Sequence, residues 1–178
     1  IIKDEKELLA NVVSSQIDVH AKYGGVMPEI ASRLHAENIT ICIEKALNDA
    51  NLTFKDLSAV AVTSGPGLIG ALHVGLQAAK TISLVHDIPL ISVHHLAGHI
   101  YANNFEGKIK YPCLALIVSG GNSEIVYMED ELKFKVIGQT IDDAIGECID
   151  KVARIMGLPY PGGPHIDKMA KLGQDKYK

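Results

Sequence analysis

Two histidines four residues apart, His95 and His99, are the side chains whose spacing most clearly suggests chemistry. On a helix, residues four apart lie on one face, so both imidazoles can reach a single cation. Imidazole nitrogen is a suitable ligand for zinc, iron and related divalent ions. The spacing therefore predicts a metal-binding pair, although two partly buried histidines bonded to backbone would give the same pattern.

The segment around this pair differs from the zinc-protease helix. That motif, H-E-x-x-H, places a glutamate general base directly after the first histidine. Leu96 occupies the corresponding position here. Because leucine cannot act as a base, the sequence favours metal binding without peptidase chemistry.

A second candidate site is the run Ser119-Gly120-Gly121, which follows an apolar segment. Neither glycine has a side chain that would keep backbone N–H groups away from an anion. The same run would also serve as a hairpin turn without any ligand. From these residues alone, phosphate binding and a plain turn both remain open.

Acidic side chains recur after Thr140. Asp143, Glu147 and Asp150 are spaced i, i+4 and i+7, which places them on one face of a helix. Three acids on one face repel one another unless a cation, a hydroxyl-bearing ligand or a basic neighbour such as Lys151 offsets their charge. A ligand-binding face and a solvated acidic face are both compatible with this pattern.

The run Pro161-Gly162-Gly163-Pro164 is too constrained for a flexible linker. We expect a fixed loop against which a flat group, such as a base or a ribose, could lie.

The elements that must position these residues alternate between strand and helix over the first 105 residues. We expect strands at residues 8–17, 59–63 and 90–93, and helices at residues 28–48, 68–85 and 94–103. A turn at residues 3–6 would make the first strand the second arm of a hairpin. Residues 59–63 are almost continuously apolar, which is typical of a strand covered on both faces. The order predicts a mostly parallel sheet with helices packed on it.

The pattern changes after residue 107. Residues 113–118, 123–128 and 132–137 predict three antiparallel strands, the first two joined by a hairpin. A helix from Thr140 to Met156, with Asp143 at its capping box and Gly157 as its stop, and a last helix to about Leu172 should follow. We therefore predict a first subdomain at residues 1–107 and the start of a second at residues 108–178.

Composition narrows the possible functions. Hydrophobic residues make up 47% and charged residues 21% of the chain, a globular balance. With no Trp and 5% aromatic residues, a stacking platform for single-stranded nucleic acid is not expected. The net charge of -4 gives the chain no overall attraction for RNA, so a local basic patch or a partner protein would have to bind it. The odd count of three cysteines, none in CxxC spacing, indicates a reducing cytoplasm, and no apolar run reaches the length of a membrane span.

Six segments of the chain occur together in the order of one family: YGGVMPEIASRLH, TSGPGLIGALHVGL, VHHLAGH, IVSGGNSEIV, IDDAIGECIDKVAR and LPYPGGP. The chain resembles the tRNA threonylcarbamoyladenosine synthase family, threonylcarbamoyltransferases formerly called O-sialoglycoprotein endopeptidases or glycoproteases. The resemblance covers essentially the whole chain. Asn122 stands where the family often has histidine.

The resemblance implies an α/β fold of the actin-like ATPase (ribonuclease H-like) type, with a mixed sheet, helices on both faces and an incomplete second lobe. It implies that His95 and His99 bind one divalent metal, iron or zinc, with magnesium as an ion that accompanies the nucleotide. The substrate- and nucleotide-binding residues that it implies are Ile117, Val118, Ser119, Gly120 and Gly121 beside the phosphate or carbamoyl group, and Asp150 and Gly163 at the nucleoside end.

The implied reaction is transfer of the threonylcarbamoyl group from threonylcarbamoyl-adenylate, an ATP-derived ligand, to the exocyclic amine of the adenosine 3' of the tRNA anticodon. The implied partners are tRNA, a paralogous actin-like scaffold subunit and a small ATPase subunit, with no membrane and a cytoplasmic location. We also expect a phosphate loop before Ile1 and a third metal ligand, an aspartate, after Lys178, so the chain alone should be inactive.

Two alternatives stand beside this interpretation. One is a metallopeptidase, which Leu96 disfavours. The other is a non-catalytic actin-like scaffold subunit of the same modification complex, which the histidine pair disfavours.

Overall fold

The computed structural model describes residues 1–4 and 7–176. Its strands and helices confirm the predicted α/β class. In chain order the elements are β1 (Ile2–Lys3), β2 (Glu7–Leu8), α1 (Ile17–Ala21), α2 (Pro28–Ala50), β3 (Val60–Gly65), α3 (Ile69–His86), β4 (Leu90–His94), α4 (His95–Tyr101), β5 (Cys113–Val118), β6 (Ser123–Asp130), β7 (Lys133–Gln139), α5 (Ile145–Ile155) and α6 (Gly162–Ala170). Short 3-10 helices cover Phe54–Asp56 and Ala102–Phe105.

The chain divides into two compact units. One comprises residues 1–16 and 27–109, and the other comprises residues 17–26 and the chain from Lys110 onward. The division into actin-like subdomains at residues 107 and 108 stays a prediction. Among the described residues, no helix has the length and apolar character that a membrane span requires.

The first unit contains a parallel β-α-β arrangement. β3 pairs with β4 in parallel, with Val60 opposite Leu90 and Thr63 opposite Val93, and α3 connects the two strands. This confirms the predicted order of strand, helix and strand. β3 is half-buried rather than covered on both faces. Within the described residues its sheet has only two strands.

Individual residues at the helix ends explain where α2 begins and where α2 and α3 end. Pro28 opens α2, a position that needs no N–H donor. Asn51 ends α2 and Asp87 ends α3, both in the left-handed conformation that helix ends favour. α2 and α3 approach so closely at Gly70 that a side chain there would collide with Ser32 Oγ.

The strand predicted at residues 8–17 is wrong beyond Leu8. β2 is a two-residue strand that pairs antiparallel with β1, and residues 9–16 form no strand. Val and Ile favour strands only where a neighbouring strand and a packed face receive them. The turn predicted at residues 3–6 lies partly outside the described residues.

The second unit contains the predicted antiparallel meander. Cys113 to Val118 pair with Met128 to Ser123, and β7 adds a third strand beside β6. Met128 is fully buried and Val126 nearly so. On the opposite face, Leu114 and Leu116 are 64% and 69% exposed, so the two faces of the sheet differ sharply.

The helix predicted from Thr140 begins instead at Ile145. Thr140 Oγ1 donates a hydrogen bond to Asp143 O (2.7 Å), which closes a turn before the helix. The first amides of α5 bond to the β5–β6 hairpin: Ile145 N donates to Ser123 Oγ (2.8 Å) and Gly146 N to Ser119 O (3.1 Å). Ser123 and Ser119, which are distant in sequence, therefore accept the first hydrogen bonds of α5 in place of the predicted cap at Thr140. Gly157 has the predicted positive φ of 72° after the helix.

Candidate functional site

His95 and His99 lie on α4, directly after the carboxyl end of β4. Leu96 and Ile100, each one residue further on, are buried and anchor the helix. His95 is half-buried and His99 is exposed. Their Nε2 atoms are 3.2 Å apart, so the structure brings the predicted pair together.

The separation of these two nitrogens fits a shared divalent ion. Two ligands each about 2.0–2.1 Å from a tetrahedral ion are about 3.3 Å apart. A single N–H···N hydrogen bond between two neutral rings has a similar length. A shared ion needs both Nε2 atoms unprotonated, whereas the hydrogen bond needs one Nε2 that carries a proton and one that does not.

The surroundings of His95 favour its neutral form. Burial lowers the pKa of His95 below its usual range, and the neighbouring imidazoles of His99 and His94 lower it further. Neutral imidazole is the form in which histidine binds a metal. The pair is therefore suited chemically as well as geometrically to hold a cation.

The pair supplies only part of a coordination sphere. Within residues 1–4 and 7–176, no three His, Cys, Asp or Glu side chains are grouped to hold a metal ion. A stable zinc site takes at least three protein ligands. The residues present thus fit a metal as two of its ligands.

Ser119, Gly120 and Gly121 lie in the loop between β5 and β6. Ser119 N donates to Asn122 O at 2.8 Å and closes the loop. Asn122 N (2.9 Å) and Gly121 N (3.4 Å) both donate to Ser119 Oγ. Gly120 N–H is then the one amide of this loop that has no acceptor among the described residues.

The fold does not itself require glycine at these positions. Neither Gly120 nor Gly121 has a positive φ. A Cβ added to either would meet no described atom within 4 Å. The open space leaves room for a ligand to approach the backbone. The preceding Ile117 is buried, so it can offer a ligand only its backbone, whereas Val118 is 48% exposed.

Lys151 offsets two of the three predicted acids. Its Nζ lies 2.6 Å from Asp143 Oδ2 and 3.1 Å from Glu147 Oε1. Lys151 donates to both carboxylates, and these hydrogen bonds, the one to Asp143 most, raise the pKa of Lys151 above its usual value. Asp143 and Glu147 therefore need no bound cation to lie close together.

Asp150 is separate from that pair of acids. Its Oδ1 accepts a hydrogen bond from Gly162 N at 2.8 Å. The remaining carboxylate oxygen, Oδ2, has no recorded partner among the described residues. Burial raises the pKa of Tyr160, and the negative charge of Asp150 raises it further.

The predicted loop at residues 161–164 is wrong in part, because Gly162 begins α6. Asp150 caps this helix, and a Cβ on Gly162 would collide with that of Ala153 on α5. The hydrogen bond to Asp150 starts the helix earlier than the prolines suggest. Gly163 follows in the first turn, where an added Cβ would meet nothing within 4 Å.

Two residues beside the loop escaped the sequence analysis, Gly146 and Ser123. Both bond the loop or its flanking strand to the start of α5. Gly146 had a usable signal, since a glycine inside a helical pattern usually has a packing reason. Ser123 had none, because a serine after a turn is unremarkable in a sequence.

The sequence model of the TsaD family, described as tRNA N6-adenosine threonylcarbamoyltransferase, matches residues 7–178. The chain is 58% identical over 175 residues to the tRNA N6-adenosine threonylcarbamoyltransferase of Halalkalibacterium halodurans, covering 98% of this chain and 51% of that protein. The Bacillus subtilis protein of the same name is also 58% identical, with the same coverage. The chain spans about half the length of these relatives.

Among solved structures, YeaZ from Pseudomonas aeruginosa is 16% identical and gives a TM-score of 0.42. That likeness covers 60% of this chain and 53% of the YeaZ chain. The family match extends over nearly the whole chain and agrees with the relatives at 58% identity. The chain therefore belongs to the TsaD family of tRNA N6-adenosine threonylcarbamoyltransferases.

Proposed function

We propose that this chain contributes to a transferase that moves the threonylcarbamoyl group from threonylcarbamoyl-adenylate to the exocyclic amine of the adenosine 3' of the tRNA anticodon. The observation that carries the proposal is the family match over residues 7–178. The converging His95 and His99 nitrogens and the open Ser119–Gly121 loop support it. Both are features that such a reaction needs, a cation site and a place for a phosphate or an acyl oxygen.

His95 and His99 would hold one divalent metal, iron or zinc. When bound, such an ion supplies a Lewis acid that stabilises negative charge on acyl or phosphate oxygens. Leu96 keeps this helix in place through its buried side chain. Their Nε2 atoms already lie 3.2 Å apart, so the pair would need little rearrangement to hold one ion.

The second unit would meet the nucleotide. Gly120 N–H would donate to an anionic oxygen, and the lack of side chains at Gly120 and Gly121 lets the ligand come close. Ile117, Val118 and Ser119 form the strand end and turn that hold these amides. Asp150 Oδ2 and the backbone of Gly163 would contact the nucleoside end.

The alternatives lose support from the structure and the relatives. Peptide hydrolysis by the zinc-protease route needs an acid where Leu96 lies, and Leu96 is buried. A purely scaffolding subunit would have no use for two converging histidines. The matched relatives are named as transferases.

We propose further that the substrates and partners are tRNA, an ATP-derived adenylate accompanied by magnesium, a paralogous actin-like scaffold subunit and a small ATPase subunit. The reaction would take place in the cytoplasm. The net charge of -4 supports a need for partners in tRNA binding, because it gives the chain no overall attraction for a polyanion.

The test is a reconstituted reaction with the full-length protein, threonine, bicarbonate, ATP, tRNA and the partner proteins. We expect threonylcarbamoyladenosine in the digested tRNA, measured by mass spectrometry. A full-length protein that binds tRNA and partners but forms no product would contradict the proposal.

A further inference from the structure

Gly146 lies in the first turn of α5 and touches the loop that precedes β6. Its N–H donates to Ser119 O at 3.1 Å. A Cβ at this position would lie 2.5 Å from Ser119 O and 2.8 Å from Gly120 N. Its φ is not positive, so the close backbone contact, rather than a left-handed conformation, is the reason for a glycine here.

Ser123 holds the other side of the same loop. Its side chain is buried, and its Oγ accepts a hydrogen bond from Ile145 N at 2.8 Å. The first amides of a helix have no acceptor within the helix. Here the hairpin supplies acceptors for two of them in succession, Ser123 Oγ directly after the loop and Ser119 O at its first residue. The amides of Ile145 and Gly146 therefore already donate within the protein and do not form an anion site.

The two contacts determine what the loop can offer a ligand. Gly120 N–H has no acceptor among the described residues, whereas Ser119, Gly121 and Asn122 donate within the loop. Any side chain at residue 146 would collide with the peptide group between Ser119 and Gly120 and would push the loop away from α5. Because the obstructing atoms belong to the backbone, no rotamer change can relieve that collision.

We propose that Gly146 and Ser123 are positioning residues, which hold the loop 119–122 against the start of α5 so that Gly120 N–H stays open to an anionic oxygen of the nucleotide. The inference rests on the proposed function, in which this loop meets the nucleotide. It adds a specific donor atom and the two residues that keep it accessible.

The test compares Gly146→Ala, Ser123→Ala and Ser123→Thr in the full-length protein, with ADP as the probe in calorimetric titrations. Gly146→Ala should weaken ADP binding roughly tenfold to a hundredfold, since losing a hydrogen bond to a charged group costs that much. KM for the adenylate should rise more than kcat falls, while bound metal stays unchanged. Ser123→Ala should weaken ADP binding less, and Ser123→Thr, which retains the hydroxyl, should restore it.

Amide hydrogen exchange gives a readout that does not depend on nucleotide binding. Ser119 N–H and Asn122 N–H should exchange faster in Gly146→Ala and in Ser123→Ala. The matched control is Gly75→Ala on α3, where an added Cβ meets Val62 Cγ2 at an ordinary 3.6 Å. It should change neither ADP affinity nor exchange at the loop.

Wild-type ADP affinity and wild-type loop exchange in Gly146→Ala would overturn the inference. If Gly146→Ala does not fold, Ser123→Ala and Ser123→Thr provide the test. Equal ADP affinity and equal loop exchange in these two variants would overturn the inference. If the unmodified protein does not bind ADP while Gly146→Ala still speeds loop exchange, the proposed function fails but the positioning of the loop by Gly146 stands.

Discussion

The histidine pair on α4 presents side chains, whereas the loop 119–122 presents backbone. His95 and His99 need only a helix and a buried anchor, and Leu96 and Ile100 supply that anchor from the same helix. The loop needs α5, which lies more than twenty residues further along the chain, to fix its shape through Gly146 N and Ile145 N.

This difference indicates how each region should respond to change. A side-chain site loses its function when the side chain is removed, with little effect on the fold around it. A backbone site is lost when a side chain is added, either to the loop or to the element that supports it.

Removing either imidazole should abolish the side-chain site. We expect His95→Ala and His99→Ala in the full-length protein to lose bound metal and to reduce threonylcarbamoyladenosine to background, because one remaining histidine holds a metal poorly. Metal content by elemental analysis and product by mass spectrometry would measure this. His73→Ala, an exposed histidine on α3, is the control. Full metal stoichiometry in both alanine variants would show that His95 and His99 do not bind the metal.

Adding a side chain should damage the backbone site. We expect Gly121→Val to weaken adenylate binding at least about tenfold, or about 1.4 kcal/mol, because the valine occupies space left for the ligand. The melting temperature should change little, since the site is open and φ is not positive. Normal nucleotide binding by Gly121→Val would show that this loop is a hairpin turn with no role in binding the ligand.

The contact between α5 and α6 provides an effect on stability rather than on ligand binding. A Cβ at Gly162 collides with Ala153, whereas one at Gly163 meets nothing within 4 Å. We expect Gly162→Ala to lower the free energy of unfolding by about 1–3 kcal/mol, the usual cost of overpacking. Urea unfolding of the full-length protein would measure this, and Gly163→Ala should be close to neutral. Equal stabilities would show that the helices can move apart freely.

The smallest effect concerns a single pKa. Burial raises the pKa of Tyr160, and the carboxylate of Asp150 raises it further because a negative charge disfavours a phenolate nearby. Asp150→Asn keeps an oxygen that can accept from Gly162 N but removes the charge, so the pKa of Tyr160 should fall toward its ordinary value. At pH values below the pKa of Tyr160, the phenol is neutral in both the unmodified protein and Asp150→Asn. NMR titration of Tyr160 would show the shift, and an unchanged pKa would mean that burial alone causes it.

Much of the fold was predictable because its signals are local. Pro28 marks the start of α2, and the apolar runs around residues 60 and 90 predict the parallel pair β3 and β4. The glycine-rich turn predicts the hairpin of β5 and β6. Family membership supports the actin-like class that the six sequence segments imply.

The errors fall where a distant contact overrides a local preference. Thr140 and Asp143 have the spacing of a helix cap, yet α5 starts at Ile145 because Ser123 and Ser119 accept its first hydrogen bonds. Prolines suggest a loop at residues 161–164, yet Asp150 caps Gly162 and starts α6 there. In each case the deciding acceptor lies at least twelve residues away in sequence.

The candidate site divides in the same way. The sequence by itself determined that His95 and His99 share a helix face, since the helix repeat alone places residues four apart together. Only the tertiary structure decided that Lys151 neutralises Asp143 and Glu147, that Asp150 bonds to Gly162, and that Gly120 N–H is left open. The physical reason is that a hydrogen bond depends on which donor and acceptor meet in space, and residue spacing along the chain does not specify that.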